Sequence, residues 1–163
     1  MREQLRKRLE GRTEEGFTLI ELMVVVLIIA ILLAIAIPSF LGARARAQDR
    51  AAQSNLRNAL TAEKTYYTDV QVYTDTLTAM QAIEPSLNWT AGTPQPNSKD
   101  VKVVRGSVAT PTPVTDAVVC LTATSASGTT FAIKDVASGT NAGTYFYKNA
   151  IATCDESVGP LKW

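Results

Sequence analysis

The sequence predicts an α+β protein in which one long N-terminal helix, about residues 18–67, packs its second half on a small antiparallel sheet of three to four strands. Three observations carry this. An unbroken apolar run extends from Leu22 to Ile37, apolar residues then recur at helical spacing as far as Tyr66, and β-like runs separated by short Ser/Gly-rich gaps fill the last third.

The first sixteen residues are charged and without apolar periodicity, and they read as a cytoplasmic leader rather than as structure. From Phe17 to Ile37 the only polar residues are Thr18 and Glu21. A span of about 20 residues crosses a hydrocarbon core roughly 30 Å thick. In lipid the backbone must satisfy itself, which makes the run a helix despite its β-branched residues. After Pro38, the series Leu41, Ala45, Ala52, Leu56, Ala59, Leu60 and Tyr66 forms an apolar stripe, with Arg44, Arg46, Asp49, Arg50, Arg57 and Lys64 filling much of the remainder. As one helix the two segments would be roughly 75 Å long at 1.5 Å per residue. Pro38 removes a hydrogen bond to the preceding turn and should loosen the helix near Ala34.

Residues 75–113 are polar and carry Pro85, Pro94, Pro96, Pro111 and Pro113, so most of the stretch is expected to be loop, with a short helix around Leu77 to Ile83 and a short strand from Val101 to Arg105. Three β-like runs follow, Ala117 to Thr124, Thr129 to Asp135 and Thr144 to Lys148. Their short gaps predict an antiparallel meander.

Composition excludes several functions. Five of the sixteen basic residues and four of the fifteen acidic ones fall in the first sixteen positions, leaving eleven of each sign and no field to gather nucleic acid. No histidine is present, which removes the commonest general base and zinc ligand. No catalytic constellation and no cofactor motif emerges, and Asp155 and Glu156 lack the spaced companions of a calcium loop. Cys120 and Cys154 lie downstream of a segment that would export them into an oxidising compartment, which favours a disulfide over two buried free thiols. Closing a loop of about 35 residues would stabilise the domain by roughly 3 to 4 kcal/mol.

The stretch Gly16-Phe17-Thr18-Leu19-Ile20-Glu21-Leu22-Met23-Val24-Val25 resembles the cleavage and methylation motif of type IV pilins and type II secretion pseudopilins. The resemblance continues through Tyr67, including Pro38, Gly42 and Tyr66-Tyr67, and is generic beyond. It implies a type IV pilin-like fold divided into a cleaved leader, 1–16, a transmembrane and filament-core helix half, 17–41, and an exported head, 42–163, with Pro38 and Gly42 as the place where the helix loosens. It implies a membrane aspartyl peptidase that cuts between Gly16 and Phe17 and methylates the new amine on Phe17. The partners implied are that enzyme, an inner-membrane assembly platform, the membrane before assembly, and identical subunits in a helical surface filament afterwards.

Physical reasoning supports these roles independently. A glycine before the cut lets an extended backbone enter a protease groove closely. A carboxylate at membrane depth, Glu21, is costly unless paired, and such a residue is functional by default. In the family, it pairs with the terminal amine of a neighbouring subunit and so selects axial register. The reading is therefore a structural, non-enzymatic subunit, the major pilin, for adhesion, motility or DNA uptake. The alternatives are a minor pilin, a pseudopilin of a secretion or competence system, or a signal-anchored exported protein, the last including a cut after Ala36 that would release a chain beginning at Ile37. Weaker signals are a glycosylation sequon at Asn88 and the basic residues Lys99, Lys102 and Arg105, for which a solvated strand face outweighs nucleic-acid contact.

Overall fold

Side-chain chemistry sets where the first helix begins and ends. In the computed structural model, which describes residues 16–97, 99–108, 114–149, 151, 154 and 155, helix α1 runs from Leu19 to Val70 and includes Pro38. It stops because Gln71 turns into the left-handed region at φ 63°. There its N–H bonds the Tyr67 carbonyl at 2.7 Å and its Nε2 donates to the Thr68 carbonyl at 3.2 Å, satisfying terminal acceptors. The chain divides into two units between Leu41 and Gly42. The leader positions 1–15, and Pro111 and Pro113 of the expected loop, lie outside the described residues.

In the first unit the large apolar side chains from Phe17 to Leu41 are all exposed, and this is the one described helix long and apolar enough to cross a membrane. In the second unit, α1 presents Ala52, Leu56, Ala59 and Ala62 to a sheet. Three of these four are alanines, so the helix backbone can lie close to the strands while Leu56 and the sheet's Val101, Val103, Leu121, Phe131 and Ile133 supply the bulk. A short helix α2, Leu77–Ile83, contributes Met80 to the same core.

The sheet has five strands in the order β1-β2-β3-β4-β5: Asn88–Thr90, Asp100–Val108, Val114–Thr124, Thr130–Val136 and Gly143–Lys148. Strands β3 to β5 form the expected antiparallel meander, and β2, which contains the short strand expected over Val101 to Arg105, extends it antiparallel beside β3. The expected small antiparallel sheet of three to four strands is found with one more strand, since β1 adds a fifth that pairs parallel with β2. The reason is local. Trp89 is buried and its Nε1 bonds the Glu84 carbonyl at 3.1 Å, while Asn88 Nδ2 reaches Asp100 Oδ1 at 3.1 Å, which holds a polar three-residue segment against the edge.

The face of the sheet away from α1 carries a second cluster of Ala117, Val118, Cys120 and Val136, covered by Tyr145, Ile151 and Cys154. Cys120 and Cys154 are disulfide-bonded with Cα atoms 5.8 Å apart. The tail is held close there: a Cβ on Gly106 would overlap the Cys154 carbonyl, so that position excludes any side chain. Lys134 is buried beneath the tail with its ammonium 3.5 Å from Asp155.

Two buried acids tie α1 to the sheet and to the chain that follows it. Asp135 accepts hydrogen bonds from Tyr73 and Thr144 and an ion pair from Lys64 at 3.1 Å. Burial, followed by the Asp135 hydrogen bond, raises the Tyr73 phenol well above its ordinary range. Glu63 is fully buried on α1; its Oε2 accepts the Thr74 N–H at 3.3 Å and its Oε1 has no partner among the described residues. Burial, opposed by the Thr74 bond, pushes the Glu63 carboxyl up to about 8.

Such an acid is held neutral by folding. Its contribution to stability is full below the ordinary value of 4.5 and is lost as pH rises through about 8. Thermal unfolding of the full chain in detergent should therefore show the parent losing stability relative to Glu63→Gln across that window, with the two closest at its acid end. Parallel pH profiles would contradict the burial of a neutral carboxyl.

Candidate processing and assembly site

The amino end of α1 is built from Gly16, Phe17, Thr18 and Glu21. Gly16 has open space where a Cβ would be, and Phe17 is 85% exposed, so the bond between them is sterically accessible. Thr18 stands just before the first helical residue, Leu19, in the N-cap position. Its Oγ1 accepts the Glu21 N–H at 3.2 Å, and Glu21 Oε2 accepts the Thr18 N–H at 2.9 Å and the Thr18 hydroxyl at 2.7 Å. This is a reciprocal capping box. Two amide donors that a helix start leaves open are satisfied by the two side chains, and a carboxylate sits where the helix dipole favours it.

Glu21 is thus not bare at the edge of an apolar segment, because its own helix terminus solvates one oxygen. The other oxygen, Oε1, accepts no hydrogen bond among the described residues. Reading Glu21 as a lone carboxylate passed over this cap, although Thr18-Leu19-Ile20-Glu21 carries the Thr-x-x-Glu spacing that signals it.

The remaining residues singled out in the sequence fall elsewhere. Pro38 lies inside α1, and Gly42 lies four residues later at the start of the second unit, with the Arg46 guanidinium over its bare Cα. The cysteine pair clamps the tail to β3 and makes no part of the amino-end site. Asn88 of the sequon is exposed, with its amide engaged by Asp100. Arg105 is paired with Asp75 at 2.8 Å, and Lys102 lies on the opposite face of β2, so the basic residues there do not gather into one patch. Among the described residues no three His, Cys, Asp or Glu side chains cluster as metal ligands.

The amino end is thus a long helix with an apolar first half, an accessible bond before it and a capped carboxylate in its first turn, a helix long and apolar enough to cross a membrane. Comparison with known proteins narrows this. Residues 11–37 match the family described as the prokaryotic N-terminal methylation motif. The chain is 50% identical over 60 residues to the type IV major pilin protein PilA of Myxococcus xanthus, a match covering 37% of this chain and 27% of that one. It is 44% identical over 69 residues to the type IV wide pilus major component PilA4 of Thermus thermophilus, covering 42% of this chain and 53% of the relative. The chain therefore spans about a quarter and about half of the lengths of these two relatives. No solved structure matches it. The amino-terminal segment is that of a type IV prepilin.

The capping box is testable apart from any function. Thr18→Val removes the hydroxyl and should cost about 1 kcal/mol at the helix start, so amide exchange at Leu19 to Glu21 in micelles should accelerate about fivefold. Exchange unchanged from the parent would contradict the box.

Proposed function

We propose that this chain is the major structural subunit of a type IV pilus: exported, cut between Gly16 and Phe17, methylated on the new Phe17 amine, and polymerised through residues 17–41 into a surface filament. The observation that carries this reading is the amino end of α1, where an accessible Gly16-Phe17 bond precedes a capped Glu21 within an otherwise apolar helix. That both relatives are named as major pilus components supports the choice of major over minor subunit.

Each segment then has a use. Residues 1–16 are a cytoplasmic leader, 17–41 anchor the subunit and later line the filament core, and 42–163 form the exported head. Before assembly the subunit is single-pass in the cytoplasmic membrane with its amino end inside. Its partners are a prepilin peptidase that also methylates, an assembly platform in that membrane, and finally identical subunits. Small residues along the apolar helix, Ala30, Ala34 and Ala36, let neighbouring helices approach closely when lipid is exchanged for protein. Pro38 and Gly42 loosen the helix where the apolar half gives way to the head.

Glu21 can act without giving up its own cap. Oε2 stays with Thr18, while Oε1 is open to the cationic amine of a subunit already in the filament. A subunit in the wrong axial position would bury that amine and that carboxylate unpaired, which is penalised by several kcal/mol relative to the paired state. The interaction therefore selects register.

Two variants expressed in the source cell test the proposal. Gly16→Leu should retain the leader and yield no filaments. Glu21→Ala should be exported and cut normally, yet sheared filament yield should fall at least tenfold, the consequence of about 1.4 kcal/mol per assembly step. Normal filament yield from Glu21→Ala would overturn the register role.

A further inference from the structure

The head side of the apolar helix opens on a group of arginines for which the filament reading has no use. Arg44, Arg46 and Arg50 follow Leu41 by three, five and nine residues, all three are exposed, and among the described residues none makes a hydrogen bond or ion pair. The single acid among them, Asp49, is engaged by the Ser127 hydroxyl at 2.5 Å.

Their placement has a direction. Side chains on a helix lean toward its amino end. The Arg46 guanidinium folds back one turn, to 3.5 Å from where a Cβ on Gly42 would stand, so its charge lies at the level of Gly42 rather than beside its own Cα. At about 100° per residue, Arg44 and Arg46 point to opposite sides of the helix. Arg50, four residues after Arg46, lies on the same side as Arg46, so the cations stand on two sides of the helix, which suits an anionic layer on both sides of it better than a one-sided protein partner.

The acids of a second copy offer little in return. Asp75 is paired with Arg105, Asp100 accepts from Asn88, Asn97 and Gln95, Asp135 is enclosed by Lys64, Tyr73 and Thr144, and Asp155 is paired with Lys134. Glu84 is taken up by Ser86, which leaves Asp69 as the exposed carboxylate of the described head with no such contact.

We propose that Arg44, Arg46 and Arg50 form a collar that binds anionic phospholipid headgroups on the head side of the membrane while the subunit is parked there before assembly. The inference rests on the reading of residues 17–41 as a membrane span. Lysine and arginine heads reach to the headgroup layer along their own aliphatic stems, and each held near an anionic surface contributes about fivefold to partitioning. The collar fixes the depth of the span and would have to be released when the subunit leaves the bilayer.

The test is the full chain in nanodiscs of equal phosphatidylglycerol and phosphatidylcholine, with the retained lipids counted by native mass spectrometry. The parent should retain phosphatidylglycerol about threefold or more above its bulk share, and the combined Arg44→Gln, Arg46→Gln, Arg50→Gln variant should lose most of that excess despite the basic leader. Lysine at all three positions should restore it. A glutamine variant with the parent's lipid preference would overturn the proposal, and if that variant also lost filaments the arginines would be assigned to contacts between copies. A chain that fails to enter the bilayer would overturn the membrane-subunit reading and this inference with it.

Discussion

Water is the wrong solvent for residues 17–41. From Phe17 to Leu41 the large apolar side chains point to every side of the helix and are exposed along its whole length, so no single partner face can cover them. Such a surface is stable in an apolar surround such as lipid or a bundle of helices. On the proposed reading, a subunit that exchanges the first surround for the second loses little apolar free energy on the way, because hydrocarbon tails and neighbouring helices are similarly greasy. What would distinguish the two states is then the polar detail, chiefly where Glu21 finds its counter-charge.

The capping box gives that detail a physical form. A carboxylate held by Thr18 is oriented, partly solvated by its own helix, and still has one oxygen to offer. It can wait in the membrane at a tolerable cost and complete its hydrogen bonding only in the right neighbourhood. The second unit has its own grounds for staying folded. Its core needs close approach of an alanine-faced helix to the sheet, its two buried acids tie the helix to the sheet and to the chain that follows it, and the disulfide holds the tail that would otherwise leave Lys134 and the second cluster uncovered.

Elements carried by periodicity were legible in the sequence. The long helix, the short helix at Leu77, the core of β2 and the meander from β3 to β5 follow from apolar spacing and turn residues, and the cysteine pairing follows from the expectation of export. What escaped depends on tertiary partners. Strand β1 has no strand-like pattern and exists because Trp89 and Asn88 find Glu84 and Asp100. Burial of Glu63, Lys134 and Asp135 cannot be read from charge type, since each is enclosed by residues distant in the chain. Nothing in the sequence marks Gly106, whose reason is the Cys154 backbone lying against it. The Thr18 cap was in plain view as a spacing and was obscured by the attention that a membrane-edge glutamate draws.

The central claim is that this chain is cut at Gly16 and assembled through the helix that the cut exposes. Intact mass and amino-terminal sequencing of the protein from a sheared cell-surface fraction test it most directly. The account predicts a chain that begins with methylated Phe17 and is lighter than its fully reduced form by the two hydrogens of the Cys120–Cys154 bond. A chain beginning at Ile37, or one beginning at Met1 and found only in membranes, would contradict it.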